Sequence, residues 1–285
     1  MGAFLFLAIG LPFMACRAMR MVGRMSDAAS LRAKEIVGLI GSAGPAQLKE
    51  LAARYEDDPR RQVQEALARA RRRLEREEAE RERVRAMYAL EHELGGDGLV
   101  VGVDEVGRGA VAGPLTVAAV ALPREPMVWG VNDSKQLTPA RRLQLARRIE
   151  EVALAVGIAH VEPAHIDRYG MASSLRTAMA AAIEDTGVEP DCVLIDGNPV
   201  HVHKREKCVV KGDAHIACIA AASIVAKVTR DALMVAYDEE FPEYGFASCK
   251  GYASSDHVAA IRAHGLCRLH RSSFCGNFVE TPRLF

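Results

Sequence analysis

A chain of 285 residues with 37 basic and 37 acidic side chains has no formal net charge. It is therefore no histone-like polycation, and any contact with nucleic acid must come from a local basic patch. Its 49% apolar and 26% charged residues are ordinary for a globular protein of one large domain or two smaller ones.

The first residues, MGAFLFLAIGLPFMAC, resemble a signal sequence only superficially. The run is shorter than the roughly 20 apolar residues of a membrane span and contains Pro12. Its arginines (17, 20 and 24) follow the apolar run instead of preceding it. Residues 1–25 read as a leader produced by a translation start set too early, with Met21 or Met25 as the true start. A monotopic anchor is the second reading.

From Ser26 to about Leu94 the pattern is helical and poor in strand formers. Leu31, Ile36, Val37 and Ile40 recur at helical spacing. GSAGP (41–45) breaks the helix, and Pro45 suits the first turn of the next. Asp58-Pro59 is a second break, and a long charged helix containing RARRRLEREEAERERVR follows. Alternating charge there predicts a solvated helix laced with i,i+4 pairs, and a basic face along a phosphate backbone is the functional alternative. Residues 26–94 thus form an all-helical extension whose deletion is expected to weaken nucleic-acid affinity without removing activity. GGDG (95–98) is the linker to the rest, 95–285.

Behind the linker the texture changes. Apolar runs LVVGV (99–103), CVLI (192–195) and CVV (208–210) read as strands. PLTVAAVAL (114–122) follows the first too closely for a crossover and should pair antiparallel with it. Helical patterns lie at 138–152, where Thr138 is the N-cap and Pro139 the first helical residue, at 173–185 and at 215–241. Strands alternating with helices predict an α/β fold with a mixed parallel and antiparallel sheet.

The strands share one feature. The first ends in Asp104-Glu105, the second in Asp196-Gly197, and the third is followed by Asp213. Sites in α/β sheets gather beyond the carboxyl ends of strands, so these acids should meet in one pocket. Four facing carboxylates repel unless hard cations sit among them, which points to Mg²⁺ or Mn²⁺. Each acid has a plainer alternative: Asp213 as a helix N-cap, Asp196 as a turn opener. Asp104 and Glu105 point to opposite faces of a regular strand, so sharing a site requires the strand to lose regularity by residue 105. The loop GRGAVAG has nucleotide-binding spacing, but Pro114 and the strand behind it exclude that turn. Bare glycines suit close backbone approach to a sugar–phosphate chain, with Arg108 to meet phosphate or brace the acids.

Seven cysteines (16, 192, 208, 218, 249, 267 and 275) form no Cys-x-x-Cys pair and read as reduced thiols. His264, Cys267, His270 and Cys275 could hold zinc, but they lack the spacing of zinc knuckles and read rather as a surface tail.

These residues fall into an ordered series: DEVGRG, NDSK (132–135), LIDGN (194–198), KGD (211–213), AAASIVAKVTRD (220–231), YGF (244–246), KGY (250–252) with His257 after it, and HRSSF (270–274). From about residue 98 to residue 275 the chain closely resembles bacterial ribonuclease HII, and EDDPR (56–60) looks like the N-terminal extension of some members. The resemblance implies a ribonuclease H-like fold and cleavage of RNA in RNA–DNA hybrids and at ribonucleotides embedded in duplex DNA, a step in ribonucleotide excision repair. It implies Asp104, Glu105, Asp196 and Asp213 as catalytic metal ligands, the seat of two ions during hydrolysis to 3′-hydroxyl and 5′-phosphate ends. Gly107, Arg108 and Gly109 would sense the ribose, and Tyr252 would stack at the junction. Ser134 and Lys135 would contact phosphate or support the site, as would Lys227 and Arg230, which equally fit pairing with Asp231. A cytoplasmic monomer with no membrane contact is expected. The chain departs from the family pattern at CKGYAS (249–254), at Gly170-Met171 and at CGNF after HRSSF. Ribonuclease HIII, a DNA nuclease of the same fold and a silent hybrid-binding module are the rival readings.

Overall fold

A computed structural model describes residues 31–279; the leader, its candidate start sites and Cys16 lie outside the described residues. The chain divides into two compact units that part between Glu78 and Ala79.

The first unit holds α1 (Ala33–Ser42), α2 (Pro45–Tyr55) and the beginning of α3 (Arg61–Gly95). Pro45 occupies the start of α2, where its missing N–H costs nothing. Ile36, Ile40, Leu48, Tyr55, Val63 and Leu67 bury one apolar stripe from each helix in a small common core. The break before α3 is made by side chains: Arg60 forks onto the Asp58 carboxylate at 2.9 and 2.5 Å. Gln64 donates to the last carbonyls of α2 and its following turn, Tyr55, Glu56 and Asp58. The charged helix carries the expected pairs, such as Arg61–Glu65 at 2.7 Å and Arg73–Glu77 at 3.7 Å. Exposed pairs of this kind add a few tenths of a kcal/mol each.

The second unit is built on a five-stranded sheet ordered β3-β2-β1-β4-β5. The strands are β1 (Val100–Val106), β2 (Leu115–Ala121), β3 (Ala155–Val161), β4 (Cys192–Asp196) and β5 (Glu206–Val209). β2 is antiparallel to β1 and to β3, whereas β4 and β5 run parallel to β1. The mixed α/β expectation holds, with one strand added: β3 carries Gly157 and three alanine-class or polar positions, and its strand pattern is correspondingly weak. Gly157 is required there, because a Cβ would strike the Ala182 carbonyl of the covering helix.

That helix, α5 (Pro163–Asp185), buries Ile166, Leu175, Ala178, Met179 and Ala182 against one face of the sheet. The opposite face is covered by α7 (Ala217–Glu240) with α4 (Pro139–Val152) outside it. The alanines 220–222 let α7 lie close to the sheet, and Gly102 of β1 admits it, since a Cβ there would overlap the backbone of Cys218 and Ile219. Val84, Met87 and Tyr88, from the later part of α3, belong to this same core. Glu91 of α3, pushed up to about 7 by burial, accepts the Cys218 N–H at the start of α7. The compact units part within α3, ahead of the glycine linker at 95–98, and the last turns of that helix pack into the sheet unit.

After α7 the chain continues through α8 (Phe246–Cys249) and α9 (Ser255–His264). These pack with Val111, Ala112, Met234, Leu269 and Cys275 into a separate core. His270 and Cys275 are thus buried, not part of a surface tail. A one-turn helix, α6 (Gly212–His215), joins β5 to α7.

Candidate active site

Three parallel neighbours end at the same edge. Val103 of β1 pairs with Ile195 of β4, so Asp104 and Asp196 stand side by side one residue later. Asp196 in turn pairs with Val209, the last residue of β5. Its Oδ1 accepts the Gly212 N–H at 2.7 Å, drawing the first turn of α6, which carries Asp213, against the end of β4. The N-cap reading of Asp213 does not hold: Lys211 precedes the turn in a left-handed conformation and Asp213 lies within it.

β1 stays paired to β2 through Val106, so Asp104 and Glu105 do point to opposite faces. Asp104 lies on the α7 face, like Gly102, and Glu105 on the α5 face, like Val103. The strand does not lose its regularity. Both acids feel the charge of Asp196, where β4 stops and Gly197 turns with φ of 89°.

The electrostatics record the convergence. Burial, then the Glu105 and Asp196 charges, hold the Asp104 carboxyl well above the usual carboxylate range. Burial and Asp196 raise Glu105, against the opposing pull of Arg108. Burial, then Asp196 and Asp133, raise Asp213. Lys135 answers from the exposed side: burial lowers its ammonium, but Asp133, Asp213, Asp104 and Asp196 together outweigh that and raise it. One lysine and one arginine do not balance this many carboxyls, and the surplus negative charge suits divalent cations. Among the described residues, however, no three His, Cys, Asp or Glu side chains form a set that could hold a metal ion alone. The donor set therefore fits ions that take one or two carboxylates each and complete their shell with water and substrate phosphate, as Mg²⁺ commonly does.

Around the acids the other expected residues separate by role. Ser134 is buried and its hydroxyl lies 3.0 Å from that of Ser223, a residue whose influence lowers the Asp104 carboxyl against its burial. It supports the carboxylate and does not face solvent. Arg108 is exposed, its guanidinium 3.5 Å from Glu105. Lys227 pairs with Asp231 at 2.7 Å.

Arg230 does not pair with Asp231. It is fully buried and donates to the carbonyls of Pro114 (2.9 Å), Ala112 (2.9 Å) and Lys250 (2.7 Å). Arg271, also fully buried, donates to Gly107 (2.7 Å), Ala110 (2.7 Å), Arg108 (3.2 Å) and Gly113 (2.8 Å). These two guanidiniums, lowered by burial, hold the glycine loop by its carbonyls, and neither forms an ion pair among the described residues. The KGY loop is stitched to the same place, because Gly251 O accepts the N–H groups of Val111 and Ala112 at 2.9 and 3.0 Å. Gly251 has φ of 79°, and a Cβ there would press on the Ala112 carbonyl. Tyr252 stands half exposed beside this junction, with the Arg230 guanidinium 5.6 Å from its ring centroid.

Behind Tyr252 runs a histidine chain that fixes its own tautomers. Cys267 N–H donates to His270 Nδ1 at 3.0 Å, so that nitrogen is unprotonated. The Tyr252 carbonyl, 2.8 Å from His257 Nδ1, can only accept, so that nitrogen carries hydrogen. With both rings neutral, His270 Nε2–H must donate to His257 Nε2 across 3.1 Å. Burial and the neighbouring His257 hold His270 down at about 4, and burial lowers His257. The zinc reading has no support in this arrangement: the imidazole nitrogens are spent on hydrogen bonds.

The family model described as Ribonuclease HII matches residues 101–277, and its N-terminal domain matches residues 33–95. The chain belongs to the ribonuclease HII family. It is a ribonuclease H, an endonuclease acting on RNA–DNA hybrids. The ribonuclease HII of Moorella thermoacetica is 49% identical over 198 residues, covering 68% of this chain and 96% of its own length. That of Geobacillus thermodenitrificans is 43% identical over 219 residues, covering 76% of this chain and 85% of its own. The crystal structure of the ribonuclease H2 from Pyrococcus horikoshii superposes with a TM-score of 0.53 at 26% identity, over 61% of this chain and 92% of that one. Ribonuclease HII similarity thus extends over both compact units, and the ribonuclease H-like fold is that of the sheet unit.

Proposed function

We propose that this ribonuclease HII family member incises on the 5′ side of ribonucleotides embedded in duplex DNA, as well as cutting the RNA strand of hybrids, leaving 3′-hydroxyl and 5′-phosphate ends. The observation that carries this reading is the joining of two loops. The glycine loop 107–109 and Tyr252 are tied into one surface beside the acids. Only a 2′-hydroxyl distinguishes an embedded ribonucleotide from its neighbours, and closely approaching backbone with an aromatic platform is suited to reading it.

In the proposed reaction Asp104, Glu105, Asp196 and Asp213 would hold two divalent ions, Mg²⁺ or Mn²⁺, which supply Lewis-acid stabilisation of the attacking and leaving oxygens. The chain's own residues do the rest. Ser223 and Ser134 fix the Asp104 carboxyl, and Lys135 offers an exposed ammonium to the scissile phosphate. Arg108 presents its guanidinium at the loop carrying Glu105. No helix among the described residues is long and apolar enough to cross a membrane, and the six described cysteines are free. As part of the same proposal we take the enzyme to be cytoplasmic and monomeric.

The deciding measurement is a cleavage assay with a duplex carrying one ribonucleotide and an all-DNA duplex of the same sequence. With Mg²⁺ or Mn²⁺, the first should be nicked 5′ of the ribonucleotide and the second left intact. Equal cutting of both would replace this reading with a DNA nuclease of the same fold.

A further inference from the structure

Trp129 is the chain's single tryptophan, and 43% of it is exposed on the loop leading into Asn132–Lys135. It is not left bare by accident of packing. The Arg85 guanidinium stands over its ring, 5.8 Å from the centroid, and Arg141 Nη2 donates to its carbonyl at 3.1 Å. From this point the outer side of α4 and Trp129 together line an open groove of about 490 Å³. Along it α4 presents three arginines, Arg141, Arg147 and Arg148, and one acid, Glu151. Arg148 engages that acid at 3.0 Å, while Arg147 has no carboxylate partner among the described residues. Leu143, 45% exposed, adds apolar surface beside the indole. In a chain of zero net charge this is a concentrated cationic face.

Its position matters as much as its charge. Arg142, on the same helix, donates to the carbonyls of Ser134 and Leu137 at 2.8 and 2.9 Å. These bonds tie α4 to the loop that carries both Trp129 and Lys135, so the face sits on a helix anchored to the edge of the site. An indole flanked by guanidiniums matches a sugar–phosphate chain, which offers apolar sugar surface and regularly spaced anions.

We propose that the duplex flanking the scissile site lies along this face, with phosphates on Arg141 and Arg147 and a sugar edge against Trp129. The inference rests on the proposed nucleic-acid function and extends it: the enzyme would grip its substrate at a second place, away from the acids, so that flanking duplex adds affinity without changing the chemical step.

Trp129 is its own reporter, being the sole indole. Titration with a hybrid bearing long flanks, without divalent ions so that binding occurs without turnover, should change its fluorescence saturably. A hybrid ending next to the cut should leave it unchanged. Kinetically, Trp129→Ala should raise KM for long-flanked substrate roughly tenfold while kcat holds. Arg147→Gln should lower the slope of log affinity against log salt by about one. Arg147 is exposed and has no ion pair among the described residues, so that variant carries the test even if Trp129→Ala folds poorly. Unchanged KM and salt slope for both variants, with normal cleavage, would overturn the inference and leave the face to a protein partner. Failure of the unmutated enzyme to cut any hybrid would instead remove the parent reading, which the same assay shows separately.

Discussion

Asp104 shows how one side chain can be a cost to the fold and a requirement of the site. It is buried, it has like charges on both sides, and its compensation is a serine hydroxyl and a backbone N–H. An ionised carboxylate so placed lowers stability until cations arrive. Asp104→Asn keeps the shape and removes the charge. We expect turnover to fall to background while hybrid affinity stays within a few-fold. Without divalent ions, the variant should melt as if about 1–2 kcal/mol more stable than the parent at neutral pH. Turnover near the parental rate would remove Asp104 from the ligand set, and equal or lower stability would contradict the repulsion. The acids were legible in the sequence because each ends an apolar run, a local signal. Ser223 was not. Its part depends on α7 lying against β1 at Gly102, a contact between distant segments that no window of sequence contains.

At the scale of elements, the glycine loop and the KGY loop behave as one piece. The sequence showed both loops, but it offered Arg230 as a phosphate contact, a support of the site or a helix-surface partner of Asp231, and gave Arg271 no role. Helical spacing cannot distinguish an arginine that meets solvent from one that reaches under the sheet edge to a set of carbonyls. β3 escaped notice for a related reason: its glycine and alanines serve the close approach of α5, so its strand character comes from pairing, not propensity. The shared anchoring of the loops has a measurable consequence. A lysine at 271 retains a charge but offers a compact ammonium in place of the planar fork that reaches Gly107, Ala110 and Gly113. Arg271→Lys should cost roughly 2–4 kcal/mol, because buried carbonyls lose their donors. It should also reduce the preference for a ribonucleotide-containing duplex over long hybrid more than it reduces the overall rate. A variant with lower stability but an unchanged substrate preference would confine Arg271 to folding.

For the whole molecule, the question is where the sheet unit begins. Composition drew the line at the glycines 95–98, since that is where helical texture gives way to strands. Packing draws it inside α3, at Glu78 and Ala79. A helix of alternating charge gives little sign of which of its turns are buried, and Val84, Met87 and Tyr88 are isolated apolar residues in a charged run. Each is buried in the core that α7 and β2 share, at roughly 1.5–3 kcal/mol apiece. Glu91 adds the partner of the fully buried Cys218 N–H, whose loss would cost another 1–3 kcal/mol or so. Together these approach the whole stability of an ordinary domain, about 5–15 kcal/mol. Truncation through Leu94 is therefore predicted to abolish cooperative melting and cleavage alike, and measuring both on that deletion decides between this prediction and the survival of activity expected from the sequence. Truncation through Glu78 should leave a melting transition and hybrid cleavage in place. On that shorter cut, any contribution of the first unit to binding is read from the salt dependence of hybrid affinity. A cooperative, active protein beginning at Gly95 would show that α3 is dispensable to the sheet and that the contacts of Val84, Met87 and Tyr88 carry far less than their burial implies.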